Sequence, residues 1–169
     1  MERPTVLQVR LLSLGDEGAR CLPALARAVR DLWAAGGSVE VVFERGPDEA
    51  RGASATVRRW CDRERVDVVL TVGRGGPTAR DFAPEMTAAL LERPLPGIEE
   101  RMYLAPPRSP QTLLFRGRAG VRRGTLVVNL PERAARARTI VRFLGPVVRH
   151  AVEKARGSNR DCAPAGAPR

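Results

Sequence analysis

A short run of glycines beside two arginines and an aspartate is the part of this 169-residue chain best equipped for chemistry. Gly73-Arg74-Gly75-Gly76-Pro77 follows the apolar run Val66 to Thr71 and precedes Arg80 and Asp81. Glycines let backbone N–H groups approach phosphate oxygens with no side chain in the way, and a following helix adds its positive end. Arg74 and Arg80 can add charge-assisted bonds to the same oxygens. A tight strand-to-helix turn accounts for the glycines equally well, and the Gly-Lys-Ser/Thr ending of a P-loop is absent. Asp81, where loop meets helix, suits a Mg²⁺ held against a nucleotide phosphate. As an N-cap it would instead steady the helix start, typically by about 1 kcal/mol. Asp48 presents the same two readings on a neighbouring loop.

These residues need a scaffold that brings their loops together, and the pattern of the chain predicts one. Val6 to Leu12 reads as a buried strand, broken by Leu14-Gly15-Asp16-Glu17-Gly18. Leu22, Leu25, Ala26, Val29 and Trp33 then fall on one helical face. Val39 to Phe43 is a second strand, and Asp48 is placed to cap a helix reaching Trp60. Val66 to Thr71 is a third strand, ending at the glycine loop, with a helix from Phe82 to Leu91 behind Asp81. Strand-helix alternation at this spacing argues for a parallel α/β sheet with right-handed crossovers. In such a sheet, ligands sit beyond the carboxyl ends of the strands. The loops Leu14 to Gly18, Glu44 to Glu49 and Val72 to Asp81 should therefore meet.

Beyond Arg93-Pro94-Leu95-Pro96-Gly97, a stiff break, the pattern is less regular. A short helical piece runs through Tyr103, and Pro106, Pro107 and Pro110 interrupt regular structure. Thr112 to Phe115 and Thr125 to Leu130 are expected strands. An Arg- and Ala-rich helix follows Pro131 to about Arg156, with Gly145-Pro146 as a kink point. One domain over 1–156 and a disordered tail over 157–169 are expected.

Composition narrows the function classes. Apolar residues are 43% and charged residues 28%, a globular balance. No apolar run approaches the roughly 18 residues that span a bilayer, and no secretory leader is evident. A cytoplasmic location without membrane association is expected. The net charge is +10, and 28 of the 29 basic residues are Arg. Such a surface attracts polyanions, steeply at low salt; a GC-rich genome produces the same Arg skew without any function. Few aromatics are present for base stacking, so nucleic-acid binding is the weaker reading. Cys21, Cys61 and Cys162 form no CxxC pair, and the lone His150 cannot complete a metal site with them.

Four ordered motifs add a family resemblance. Val69 to Glu85, VLTVGRGGPTARDFAPE, resembles the TxGGTGxxxRDxTPE signature of the MoaB/Mog family of molybdenum-cofactor biosynthesis proteins. Arg93 to Glu100 is similar to its RxxPGxxE, Ala119 to Pro131 to its AGxxxxTLxxNLPG, and Pro47-Asp48-Glu49 to its PDD/PDE turn. The resemblance covers about residues 5 to 156. It implies a three-layer α/β sandwich with a mostly parallel sheet, assembled as a homotrimer, that binds molybdopterin. It further implies transfer of AMP from ATP, with Mg²⁺, to the terminal phosphate of molybdopterin, releasing pyrophosphate.

By position, Asp48 and Asp81 match the family's two functional aspartates, implied as catalytic and Mg²⁺-holding. Gly73, Gly76 and Arg80 match its phosphate loop, with Arg74 and Gly75 between them. Glu100 matches the PGxxE glutamate, and Asn129-Leu130-Pro131 the last binding loop. The departures cluster at the ligand loops. GGTG is here Gly73-Arg74-Gly75-Gly76, the RDxTPE threonine is Ala83, and NLPG is Asn129-Leu130-Pro131-Glu132. A degenerate member that binds pterin or serves assembly or regulation without catalysis is the second reading.

Overall fold

The structure is a computed structural model that describes residues 6–106 and 109–157. The expected tail beyond Gly157, with Cys162, and Pro107 lie outside the described residues. Six strands form one sheet in the order β2-β1-β3-β6-β5-β4. The four strands β1 (Leu7–Ser13), β2 (Val39–Arg45), β3 (Val68–Val72) and β6 (Thr125–Leu130) run parallel. At the far edge β5 (Ala119–Arg122) and β4 (Arg93–Pro94) turn antiparallel.

Alternation along the strands explains why helices cover both faces. Val9, Leu11, Leu70, Val72 and Val128 point to one side, where α1 (Gly15–Trp33) and α5 (Ala134–Ala155) pack. Leu12, Val69 and Val127 point to the other, against α2 (Ala50–Arg58) and α3 (Ala83–Leu90). Central strands buried on both faces read as continuous apolar runs, as β3 and β6 do. The result is the expected three-layer sandwich. Trp33 fastens α1 to α5 by donating from Nε1 to the Val141 carbonyl at 2.8 Å. The remaining helix, α4 (Pro96–Leu104), follows β4 and leads into the sandwich edge.

Several local expectations are corrected. The Leu14 to Gly18 segment is no break: α1 starts at Gly15, seven residues before Leu22, and carries Pro23 on its exposed face. Asp48 does not cap α2. Glu49 does, accepting from the N–H of Arg51 at 3.0 Å and of Gly52 at 2.5 Å. Asp81 does not cap α3, which begins at Ala83 behind an uncapped Phe82. Thr112 to Phe115 is no strand; Pro110–Leu114 is a 3₁₀ turn, and the fifth strand is Ala119–Arg122. α5 runs unbroken through Gly145-Pro146.

After α2 the chain widens into a π-type turn, Arg59–Glu64, which brings Asp62 to Arg122 of β5. Arg122 donates from Nε at 2.9 Å and Nη2 at 2.6 Å to the two Asp62 oxygens. Those bonds hold the Asp62 carboxyl below its ordinary value of 3.8. A depressed carboxylate contributes stability that is present above the unfolded value and lost as pH falls through the folded one. Asp62→Asn should therefore lower the melting temperature at neutral pH. Thermal melts in steps down to about pH 3 should show that deficit shrinking as the wild-type pair protonates. A deficit independent of pH would mean that the pair contributes nothing electrostatic.

Candidate functional site

The carboxyl ends of β1, β2, β3 and β6 bring the expected loops to one edge of the sheet. Two adjoining cavities open there. One, of about 360 Å³, is charged: Asp16, Glu17, Arg20, Asp48, Arg74 and Arg80 line it with Gly15, Gly73 and Asp81. The other, of about 290 Å³, is lined by Pro77, Leu114, Phe115 and Pro131, with Gly75, Gly76, Arg133 and Arg136. Asp81 and Glu132 line both and so stand where the two meet.

The glycine loop lies along this boundary. Its first residue, Gly73, has φ 100° and donates its N–H to the Leu130 carbonyl at 3.0 Å, tying the loop to the end of β6. A side chain is disfavoured in that backbone conformation. Arg116 supports the loop from below, donating from its backbone N–H to the Gly75 carbonyl and from Nε to the Gly76 carbonyl, both at 2.9 Å. Its guanidinium also pairs with Glu85, whose carboxyl it holds below the usual range.

The two aspartates come to the same cleft but are engaged differently. Asp48 accepts from both Nε and Nη2 of Arg74, the first at 2.7 Å. That bidentate pair holds the Asp48 carboxyl below its ordinary value. Asp81 turns back on its own loop, accepting from the Thr78 N–H at 2.9 Å and the Thr78 hydroxyl at 2.6 Å. Burial works to raise its pKa, but the bonds from Thr78 and the Gly76 backbone outweigh it and leave the net direction downward. A divalent ion held between Asp48 and Asp81 does not fit this arrangement. Both Asp48 oxygens are taken by a guanidinium, and among the described residues no three His, Cys, Asp or Glu side chains converge as metal ligands.

Gly73, Arg74, Arg80, Asp48 and Asp81 thus share the charged cleft, while Gly75, Gly76 and Pro131 line its neighbour. Asn129 lies behind the site, fully buried. Its Nδ2 donates to Thr71 Oγ1 at 2.8 Å and Thr87 Oγ1 at 2.7 Å, and its Oδ1 accepts from the Arg118 N–H at 2.8 Å. Glu100 is exposed on α4 and lines neither cavity. Its neighbour Glu99 is the buried one, accepting from the Ala119 N–H at 3.0 Å. Cys61, deep against α2, has its thiol pushed up to about 12 by burial and is no nucleophile.

Sequence reasoning passed over Arg136. It is 1% exposed, donates from Nη2 to the Met102 carbonyl at 3.1 Å, and stacks over the Phe115 ring at 5.5 Å. No carboxylate pairs with it among the described residues, its Nε is buried without a partner, and it lines the second cavity. Burial lowers its pKa. The signal was present in the pattern: Arg136 stands in register with Ile140, Leu144 and Val148, on the apolar stripe of α5.

Comparison with known proteins finds relatives in sequence and in fold. The family described as "Probable molybdopterin binding domain" matches residues 12–150. A molybdopterin adenylyltransferase of Helicobacter pylori is 30% identical over 116 residues, 68% of this chain and 66% of that one. The chain thus spans just under two thirds of that relative. The molybdenum cofactor synthesis protein cinnamon of Drosophila melanogaster is 32% identical over 133 residues, 77% of this chain and 21% of that one. Among solved structures, the molybdopterin biosynthesis enzyme MoaB of Thermus thermophilus superposes with a TM-score of 0.76 at 38% identity, covering 90% of this chain and 98% of that one. The Mog protein of Mycobacterium ulcerans gives 0.76 at 26% identity, covering 91% and 99%.

Proposed function

This chain belongs to the MoaB/Mog family of molybdopterin-binding domains, and we propose that it binds molybdopterin and ATP in the two adjoining cavities and transfers AMP between them. The observation that carries the reading is their juxtaposition. A cavity walled by Phe115, Leu114, Pro77 and Pro131 suits a planar pterin ring, and the charged cleft beside it suits phosphates. Asp81 and Glu132 mark the line where reacting groups would meet. In the transfer, a terminal phosphate oxygen of molybdopterin attacks the α-phosphorus of ATP. The bond from that phosphorus to the β-phosphate oxygen breaks, and pyrophosphate leaves.

Phosphoryl-type transfer of this kind depends on positioning and on neutralising spread-out negative charge. Arg74 and Arg80 supply positive charge from the glycine loop and Arg20 from α1, and the glycine loop also supplies N–H donors. Asp81 keeps the loop in shape through Thr78 rather than by touching the phosphates. Pyrophosphate release by the purified chain with molybdopterin and ATP tests the reading. Binding of both ligands without release would instead support the second one, a family member that holds pterin without catalysis. Arg74 clamped on Asp48 favours that second reading, since the family's aspartate is not free.

Glu132 supplies a separate expectation. It stands at the meeting line of the cavities, where the family motif has glycine, and it opposes an anionic ligand. Glu132→Gln keeps the size and removes the charge. Molybdopterin affinity, measured by fluorescence titration, should rise several-fold, about the effect of relieving one like-charge contact in partly screened surroundings. Unchanged affinity would place Glu132 outside the bound ligand's reach.

A further inference from the structure

The charged cleft already contains a cation of its own. Arg74 is only 19% exposed, grips Asp48 through two nitrogens, and sits at φ 52°, a backbone conformation that ordinarily belongs to glycine. A charged side chain in a strained conformation persists only where its surroundings hold it there. They do so here: the opposite wall is Gly15, where an added Cβ would lie 3.0 Å from Arg74 Nε, so the absence of a side chain makes room for the guanidinium. The other carboxylates that could draw a metal are also engaged. Asp16 pairs with Arg45, and Asp81 holds Thr78. Glu17 and Glu132 line the cleft together with Arg20 and Arg80, so cations of the protein's own already stand among its carboxylates.

We propose that the Arg74 guanidinium is the resident cation of this cleft: fixed by Asp48, it stands in for a protein-bound divalent ion and meets the phosphate oxygens of the ligand directly. The proposal rests on the reading of the cleft as the phosphate end of the ligand site. Planar guanidinium donors can hold a carboxylate on one edge and offer remaining N–H groups to phosphate, which a solvated lysine cannot do in a fixed direction. A divalent ion approaching Asp48 would have to displace this bidentate partner against the repulsion of a like charge.

Two measurements test it on the purified chain. In the first, Mn²⁺ alone is titrated and followed by its electron paramagnetic resonance. The wild type should take up no stoichiometric Mn²⁺, whereas Arg74→Gly, unstrained at φ 52° and with Asp48 released, should gain a site. Stoichiometric uptake by the wild type would overturn the proposal. In the second, inorganic pyrophosphate binding is measured by calorimetry with a chelator and with Mg²⁺. Wild-type affinity should be the same in both media. Arg74→Gly should bind about tenfold more weakly under chelation, the loss of one charge-assisted contact, and recover with Mg²⁺. Arg74→Asn, which also tolerates a positive φ, repeats the test should the glycine variant fold poorly. Wild-type binding that requires Mg²⁺ overturns the proposal alone. No wild-type binding in either medium overturns both the proposal and the phosphate reading of the cleft.

Discussion

Asn129→Ala is expected to unfold this protein at a markedly lower temperature while leaving the ligand site chemically intact. The side chain is wholly inside, and its amide serves three partners: Thr71 on β3, Thr87 on α3 and the Arg118 N–H before β5. Removing it leaves the partly buried Arg118 N–H without its acceptor and takes the donors from two buried hydroxyls. Each unsatisfied buried group costs about 1–3 kcal/mol; the threonine hydroxyls can turn, the Arg118 N–H cannot. A loss of about 3 kcal/mol is therefore expected, or roughly 6–12 °C in melting temperature for a chain of this size. The family resemblance places Asn129 in a binding loop. Its geometry makes it a positioning residue for Pro131 and for the Leu130 carbonyl that accepts from Gly73. Ligand affinity measured well below the melting temperature should accordingly stay within a few-fold of wild type. Loss of affinity with an unchanged melting temperature would show instead that Asn129 touches the ligand.

What could be read from the sequence follows a physical division. The central strands announce themselves because both faces are covered, which forces runs such as VDVVLT and TLVVNL to be apolar throughout. The edge announces nothing. β5 is Ala-Gly-Val-Arg, too short and too small to stand out, and β4 is two residues ending in Pro94. The apolar run Thr112 to Phe115 misleads for the opposite reason. Pro110 opens a 3₁₀ turn there, the Thr112 hydroxyl donates back to the Ser109 carbonyl at 2.7 Å, and Leu113 and Leu114 end up exposed.

The site divides the same way. Its loops were legible because glycines and the strand ends of a parallel sheet locate them. The partners within it were not, since pairing depends on residues far apart in the chain. Nothing around Asp48 announces that Arg74, 26 residues on, will take both its oxygens, or that Glu49 rather than Asp48 will cap α2. Asp81 misled because a carboxylate just before a helix is usually a cap; here the helix starts two residues later, and the carboxylate closes the preceding loop.

Arg136 carries the other large expected effect, with opposite signs for stability and binding. Its guanidinium is buried against the carboxyl end of α4 and the Phe115 face, and no carboxylate among the described residues neutralises it. A buried charge without an ionic partner is a poor way to stabilise a fold, and an apolar residue of similar volume is commonly neutral or better. Arg136→Met fills the same space on the apolar stripe beside Ile140 and leaves the Met102 carbonyl to the Ala105 N–H that already reaches it. Its melting temperature should equal or exceed that of the wild type. The cavity beside it, however, loses its one deeply buried positive group. An anionic ligand seated there gives up a charge interaction in a medium of low polarity, so molybdopterin affinity should fall by about tenfold or more. Arg136→Lys should recover only part of this, because a lysine keeps the charge without the planar fork or the stacking on Phe115. If Arg136→Met instead destabilised the fold and left affinity unchanged, Arg136 would be a cap for α4 and the cavity would owe nothing to its charge.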